Sequence, residues 1–218
     1  MTVLPPWTYS NMSDYDNCPQ KYFRKHVKKD LPKEPASEAM TWGIAVHDAL
    51  EQRLRNGTPL PATMAPYEVF AQSVGRSTHY NVEVKKAVDC FGDPCDFWDP
   101  QVRGRGKLDV LTFGPTSALI LDWKTGKRRE DPMELETFAR LSAPSMPYIK
   151  TWRGAYVWLK GQAVGQVHVL DVERAKDTID ARWDRMNACA TAENWYATPN
   201  GLCGWCPVKD CEHNRSGK

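Results

Sequence analysis

Asp122 and Lys124 stand two residues apart, directly after the apolar run 118–121. On a strand, residues two apart share a face, so the carboxylate and the ammonium point the same way while Leu121 and Trp123 point the other. Asp109 lies thirteen residues before Asp122, within Gly106-Lys107-Leu108-Asp109-Val110. A hairpin turning at Gly114-Pro115 would bring it beside them. Two carboxylates at short range make a hard oxygen site suited to Mg²⁺ or Mn²⁺. Such an ion activates water and neutralises charge on a phosphoryl group in transit. A lysine beside it can orient or deprotonate the water, or stabilise an oxyanion. A carboxylate that follows four apolar residues is costly to bury alone. A metal must compensate Asp122, or Lys124 must pair with it at a strand end, and the spacing leaves both open.

His47 shares the apolar stripe of Ile44, Leu50 and Leu54, so its imidazole faces inward, as a core hydrogen-bonding group or as a metal ligand. Gly43, one turn earlier, permits close approach of a backbone or a ligand. Glu83, in Val82-Glu83-Val84, is either an additional carboxylate for the site or a solvated strand residue.

A second constellation is Cys203-x-x-Cys206-x-x-x-x-Cys211 in a tail bearing Gly and Pro. Three cysteines so close in a chain with no visible secretory signal read as metal ligands. The fourth ligand is either His213, giving a Cys₃His zinc site, or Cys18, giving four thiolates for zinc or an iron–sulfur cluster. Cys90, Cys95 and Cys189 have no ligand-like spacing and read as ordinary side chains.

These residues need elements to position them. The pattern predicts helices over 9–29, 38–56 and 67–76, the second closed by Asn56-Gly57, and a loop over 59–66. Strands are expected over 80–88, 104–113 and 118–121, then a helix over 148–159, a strand over 164–172 and a helix over 173–196. The order argues a single α/β domain with a central mixed sheet flanked by helices. The chain has 218 residues, 41% hydrophobic and 26% charged, with nine Trp and eight Tyr, enough to bury a core without disulfides. No apolar run is long enough to cross a membrane, and the expected location is cytoplasmic. The net charge of +2 does not itself announce a nucleic-acid binder. The basic residues cluster, however, over 21–29, at Arg103, Arg105 and Lys107, and at Lys124, Lys127, Arg128 and Arg129. Local charge governs phosphate binding. Trp42, Trp123, Trp152 or Tyr156 could stack on unpaired bases.

Taken in order, Cys18, Gly43-Ile44-Ala45-Val46-His47, Asp109, Asp122-Trp123-Lys124 and Cys203, Cys206 and Cys211 resemble a RecB-type iron–sulfur nuclease of the PD-(D/E)XK superfamily. The resemblance is to the CRISPR-associated exonucleases of the Cas-four type. It covers nearly the whole chain. It implies one nuclease domain over 1–218, with a core over 36–196. Segments 1–35 and 197–218 would be joined by a [4Fe–4S] cluster on Cys18, Cys203, Cys206 and Cys211. It implies Mg²⁺ or Mn²⁺ held by His47, Asp109, Asp122 and the main-chain carbonyl of Trp123, with Asp109, Asp122 and Lys124 catalytic. The implied activity is metal-dependent exonuclease cleavage of single-stranded DNA or strand ends, with some endonuclease activity. Lys127, Lys150, Arg105, Arg153 and Tyr156 are candidate DNA contacts. One departure stands out: the family carries Gln-x-x-x-Tyr on the helix after Asp-x-Lys, and with Tyr156 as the Tyr the Gln position falls on Trp152. That motivates an alternative, a weakly catalytic or non-catalytic DNA-end adaptor working with CRISPR adaptation or recombination proteins. A zinc-stapled α/β binding module is a third reading.

Overall fold

The alternating and continuous apolar runs between residues 80 and 124 form three consecutive strands. The computed structural model describes residues 2–32 and 35–216. In it β1 (Tyr80–Val88), β2 (Gly104–Phe113) and β3 (Ser117–Lys124) pair antiparallel in sequence order. The β2–β3 hairpin turns where expected, and Gly114 N–H donates to the Ser117 carbonyl at 2.8 Å. The chain divides into two compact units, Pro35–Lys176 and the pair Met1–Glu34 with Asp177–Lys218.

Within Pro35–Lys176, β4 (Thr151–Trp158) pairs parallel to β3, while β5 (Ala163–Val164) and β6 (His168–Leu170) pair antiparallel to β4. The sheet is therefore mixed. One apolar layer joins it to α5 (Pro132–Ser142) through Leu108, Ile120, Leu135, Phe138, Trp152 and Tyr156. A second layer joins it to α3 (Glu38–Asn56) and α4 (Glu68–Gly75) through Val46, Leu50, Val74, Val110 and Trp123. Helix α3 has the expected bounds. Ser37 caps its first turn, and Gly57 takes the left-handed φ of 71° that ends it.

Two expectations fail here. The helix over 148–159 is β4, because Thr151, Trp152, Tyr156, Val157 and Trp158 are β-branched or aromatic and the run is buried on both faces against β3. Gly154 fits this strand, since a Cβ there would lie 3.0 Å from the Leu170 side chain and 3.2 Å from that of Leu135. The other failure is α5, which lies between the expected strand over 118–121 and the expected helix over 148–159, where the pattern assigns no element. Asp131 caps it and Pro132 opens it, a strong start signal. The strand over 164–172 is two short strands, and the loop over 59–66 contains a 3₁₀ turn, Ala62–Tyr67.

In the other unit, the helix over 9–29 breaks into α1 (Tyr9–Asn17), α2 (Pro19–Tyr22) and a π turn, Phe23–Lys28. Pro19 forces the residue before it out of helical geometry, and Cys18 is extended at φ −167°, ψ 111°. Helix α6 spans Val172–Ala192 and belongs to this unit from Asp177 onward. Tyr15, Tyr22, Phe23 and Trp195 pack as an aromatic cluster. Asn200 Nδ2 donates to the Asn17 carbonyl at 2.9 Å, tying the tail to the end of α1. Met1, residues 33–34 and residues 217–218, at the ends of the expected cluster-binding segments, lie outside the described residues. Among the described residues no helix is long and apolar enough to cross a membrane.

Candidate metal centre

The strand registers align three carboxylates. Val82 pairs with Val110 and Val84 with Leu108, which puts Glu83 opposite Asp109. Val110 pairs with Leu121, and continuing that register puts Asp109 opposite Asp122. Glu83 sits at φ 53°, a left-handed conformation rare for a residue with a side chain. Such a conformation costs about 1–3 kcal/mol and tends to persist at functional sites. From α3, His47 reaches across, with Nδ1 at 3.1 Å from Asp109 Oδ1 and Nε2 at 3.1 Å from the Trp123 carbonyl oxygen. The other Asp109 oxygen accepts the Trp123 N–H at 2.7 Å. Gly43 permits this approach of α3, since a Cβ there would lie 3.2 Å from Thr125 Oγ1.

His47, Glu83 and Asp109 thus offer ligand atoms that all lie within 4.8 Å of one another. Burial pulls the His47 pKa down, but the hydrogen bond and charge of Asp109 outweigh it and hold the pKa above its ordinary value. The ring donates to both the Asp109 carboxylate and the Trp123 carbonyl only when doubly protonated. A divalent cation fits the same place, because it would supply positive charge to the same acceptors in place of a proton. The carboxylate and carbonyl oxygens suit a hard divalent cation, and the imidazole suits a first-row transition metal ion.

Asp122 is buried and outside this three-residue group; its Oδ2 lies 2.7 Å from Lys124 Nζ. Burial first, then the charge of Asp109, push its carboxyl up to about 7 against the pull of Lys124. Lys124 is shared. Its Nζ also lies 3.0 Å from Glu134 Oε2, and the Tyr156 hydroxyl lies 2.9 Å from that oxygen, above which the ammonium faces the Tyr156 ring at 5.1 Å. Burial lowers the Lys124 pKa, but Asp122 and Glu134 outweigh it and raise it. Sequence reasoning missed Glu134. Recognising Asp131-Pro132 as a helix start would have placed it in the first turn of α5.

The four cysteines singled out in the sequence, Cys18, Cys203, Cys206 and Cys211, line one cavity of about 160 Å³ together with His213. The Thr198 N–H donates to Cys18 Sγ at 3.4 Å and the Asn200 N–H to Cys203 Sγ at 3.3 Å. Among the described residues no three of these ligand atoms come within 4.8 Å of one another.

The expected nucleic-acid contacts are scattered. Lys127, Lys150 and Arg153 are exposed, and Lys150 donates to the Pro147 carbonyl at 3.3 Å. Arg105 donates to the Phe97 carbonyl at 3.2 Å. Trp123, Trp152 and Tyr156 are buried and offer no stacking face, whereas Trp42 is half-exposed. The basic cluster over 21–29 is largely compensated: Lys21, Lys25 and His26 meet Asp14, and Arg24 meets Asp30 and Asp210. The Gln-x-x-x-Tyr comparison through Trp152 and Tyr156 fails, because both lie on β4; the helix after Lys124 is α5.

Residues 6–78, about a third of the chain and including α3 with His47, match the model of the PD-(D/E)XK nuclease superfamily. The fold is similar to that of a candidate exonuclease from Eubacterium rectale, with TM-score 0.55 and 10% identity, covering 98% of this chain and 88% of that one. A structure of the protein SSO0001 aligns with TM-score 0.43 and 13% identity, over 93% of this chain and 85% of that one. No curated protein matches the sequence. The class is thus an α/β domain with a mixed sheet, similar over residues 6–78 to the PD-(D/E)XK nuclease superfamily and carrying a His-Glu-Asp group that could hold a divalent cation.

Proposed function

We propose that the chain is a metal-dependent DNA exonuclease acting on single strands or strand ends. The observation that carries this is the convergence of His47, Glu83 and Asp109 within 4.8 Å, beside Asp122 and Lys124. His47, Glu83 and Asp109 would hold Mg²⁺ or Mn²⁺, with the Trp123 carbonyl and Asp122 in reach of its surroundings. The bound ion would neutralise phosphoryl charge and make a coordinated water more acidic. Lys124, kept charged by Asp122 and Glu134, would donate to the attacking water or to a phosphoryl oxygen rather than take a proton. Glu134 and Tyr156 would hold the ammonium in that position. The adaptor alternative keeps its motive in another form: Trp152 lies on a strand, and α5, the helix after Lys124, carries neither Gln nor Tyr, so the departure from the family's Gln-x-x-x-Tyr pattern stands.

Cys18, Cys203, Cys206 and Cys211 would hold a structural [4Fe–4S] cluster. Their cavity and the N–H groups aimed at two of the sulfurs support this. The test of the proposal is cleavage of end-labelled DNA, single-stranded and duplex, with Mn²⁺ and with chelator. Metal-dependent shortening from an end supports it, and retained binding without cutting would support the adaptor.

A further inference from the structure

The segment between β1 and β2, residues 89–103, is longer than the two to five residues usual in a hairpin. It carries Trp98, which is 67% exposed, packed edge-on against Phe97 with ring centroids 5.0 Å apart. The Arg105 guanidinium lies 4.6 Å from the Trp98 ring centroid and 5.1 Å from that of Phe97. Lys85 Nζ lies 6.0 Å from Trp98 and 5.6 Å from Phe97. Two cations and an open indole face therefore form one platform.

Its position relative to the metal centre follows from register. Lys85 pairs with Lys107 and Ala87 with Arg105, so these basic residues continue the same strands from Glu83 and Asp109. Lys107 is in contact with Glu83. At about 3.3 Å per residue, Lys107 lies roughly 7 Å and Arg105 roughly 13 Å along β2 from Asp109. The cleft at the metal centre is lined from α3 by Met40 and Ile44, 59% and 53% exposed, with His47 and Asp48, and from the strands by Glu83, Lys107 and Asp109. The loop holds four aspartates, and the carboxylates of three of them brace its turns. Asp89 accepts the N–H groups of Phe91 and Asp93, Asp96 that of Trp98, and Asp99 that of Gln101.

An aromatic face and a line of cations leading toward the cleft together suit a ligand with both exposed flat bases and phosphates. A single strand offers both; in a duplex the base faces are stacked inside. Resting on the nuclease reading, we propose that Trp98, backed by Phe97, Lys85 and Arg105, stacks a base of the bound single strand. The platform selects single strands and feeds the backbone past Lys107 to the metal centre.

The test uses the full chain in EDTA, so that binding is read without cleavage. Fluorescein-labelled single-stranded and duplex oligonucleotides are titrated by anisotropy against wild type, Trp98→Ala and Trp98→Phe. Loss of one stacked base weakens single-strand binding by about 5- to 150-fold. Trp98→Phe recovers most of this, and duplex binding moves less than twofold. Melting curves check that the exposed substitution leaves the fold intact. Unchanged single-strand affinity in Trp98→Ala, with metal-dependent cutting by wild type, overturns the platform and leaves the nuclease reading standing. Wild type that neither binds nor cuts DNA overturns both.

Discussion

Glu134 is the residue whose removal says most about how Lys124 is held. It meets Lys124 Nζ at 3.0 Å and the Tyr156 hydroxyl at 2.9 Å, while Asp122 holds the other side of the ammonium at 2.7 Å. Hydrogen bonds to charged groups contribute about 1.5–3 kcal/mol each. In Glu134→Ala the ammonium keeps one of its two carboxylates, and Tyr156 keeps its bond to the Asp131 carbonyl. The net loss of stability should therefore be about 1–3 kcal/mol, because water reaches the half-buried Lys124 and offsets part of it. For a chain of this length that lowers Tm by about 2–12 °C. The kinetic effect should be larger. If positioning of Lys124 matters at the transition state, about 1.4–3 kcal/mol of lost stabilisation slows single-turnover cleavage about 10- to 150-fold. Glu134→Gln keeps the bonding groups without the charge and should fall between the two. Single-turnover cleavage of a labelled strand, with DNA affinity measured separately, reads this directly. Glu134→Ala cleaving at the wild-type rate with an unchanged Tm would refute the reasoning.

Other outcomes follow from the same structure. Anaerobically purified protein should be brown, with absorbance near about 400 nm. Cys206→Ser or Cys18→Ser should lose that absorbance, whereas Cys90→Ser should keep it; a colourless protein with stoichiometric zinc would contradict the cluster. The Asp122 carboxyl, raised to about 7 by burial and by Asp109, is more protonated in the folded than in the unfolded chain. Its contribution to metal-free stability therefore falls as pH rises from about 4 to 7, and is level outside that window. Asp122→Asn should flatten that part of the stability–pH curve measured by urea unfolding in EDTA, and an identical slope would argue against the assigned cause.

The sequence made the β2–β3 hairpin legible because alternation, the continuous run 118–121 and Gly114-Pro115 all agree on it. It made α3 legible through Ser37, the apolar stripe and Asn56-Gly57. The four cysteines of the cavity could be grouped because CxxC spacing and Cys-Pro are local signals. What stayed hidden depends on non-local pairing. Residues 148–159 are apolar enough for either a helix or a buried strand, and only the parallel partner β3 decides it. That error also misdirected the motif comparison through Trp152. Between Val82 and Val84, Glu83 reads equally as an additional site carboxylate or as a solvated strand residue, and the pattern does not choose. Its ligand-like place comes from a left-handed φ that no pattern announces. Ion pairing is equally non-local, so the basic run over 21–29 looked open to phosphate although Asp14, Asp30 and Asp210 compensate it.

The central claim is that the group formed by His47, Glu83 and Asp109 serves a divalent cation that drives strand cleavage. Its most direct measurement is cleavage of an end-labelled single strand by wild type and by the near-isosteric Asp109→Asn, each with Mn²⁺ and with EDTA. The account predicts metal-dependent shortening by wild type and none in EDTA. It predicts a loss of about 100-fold or more in Asp109→Asn that still melts cooperatively. Cleavage that persists in EDTA, or Asp109→Asn cutting at the wild-type rate, would contradict it.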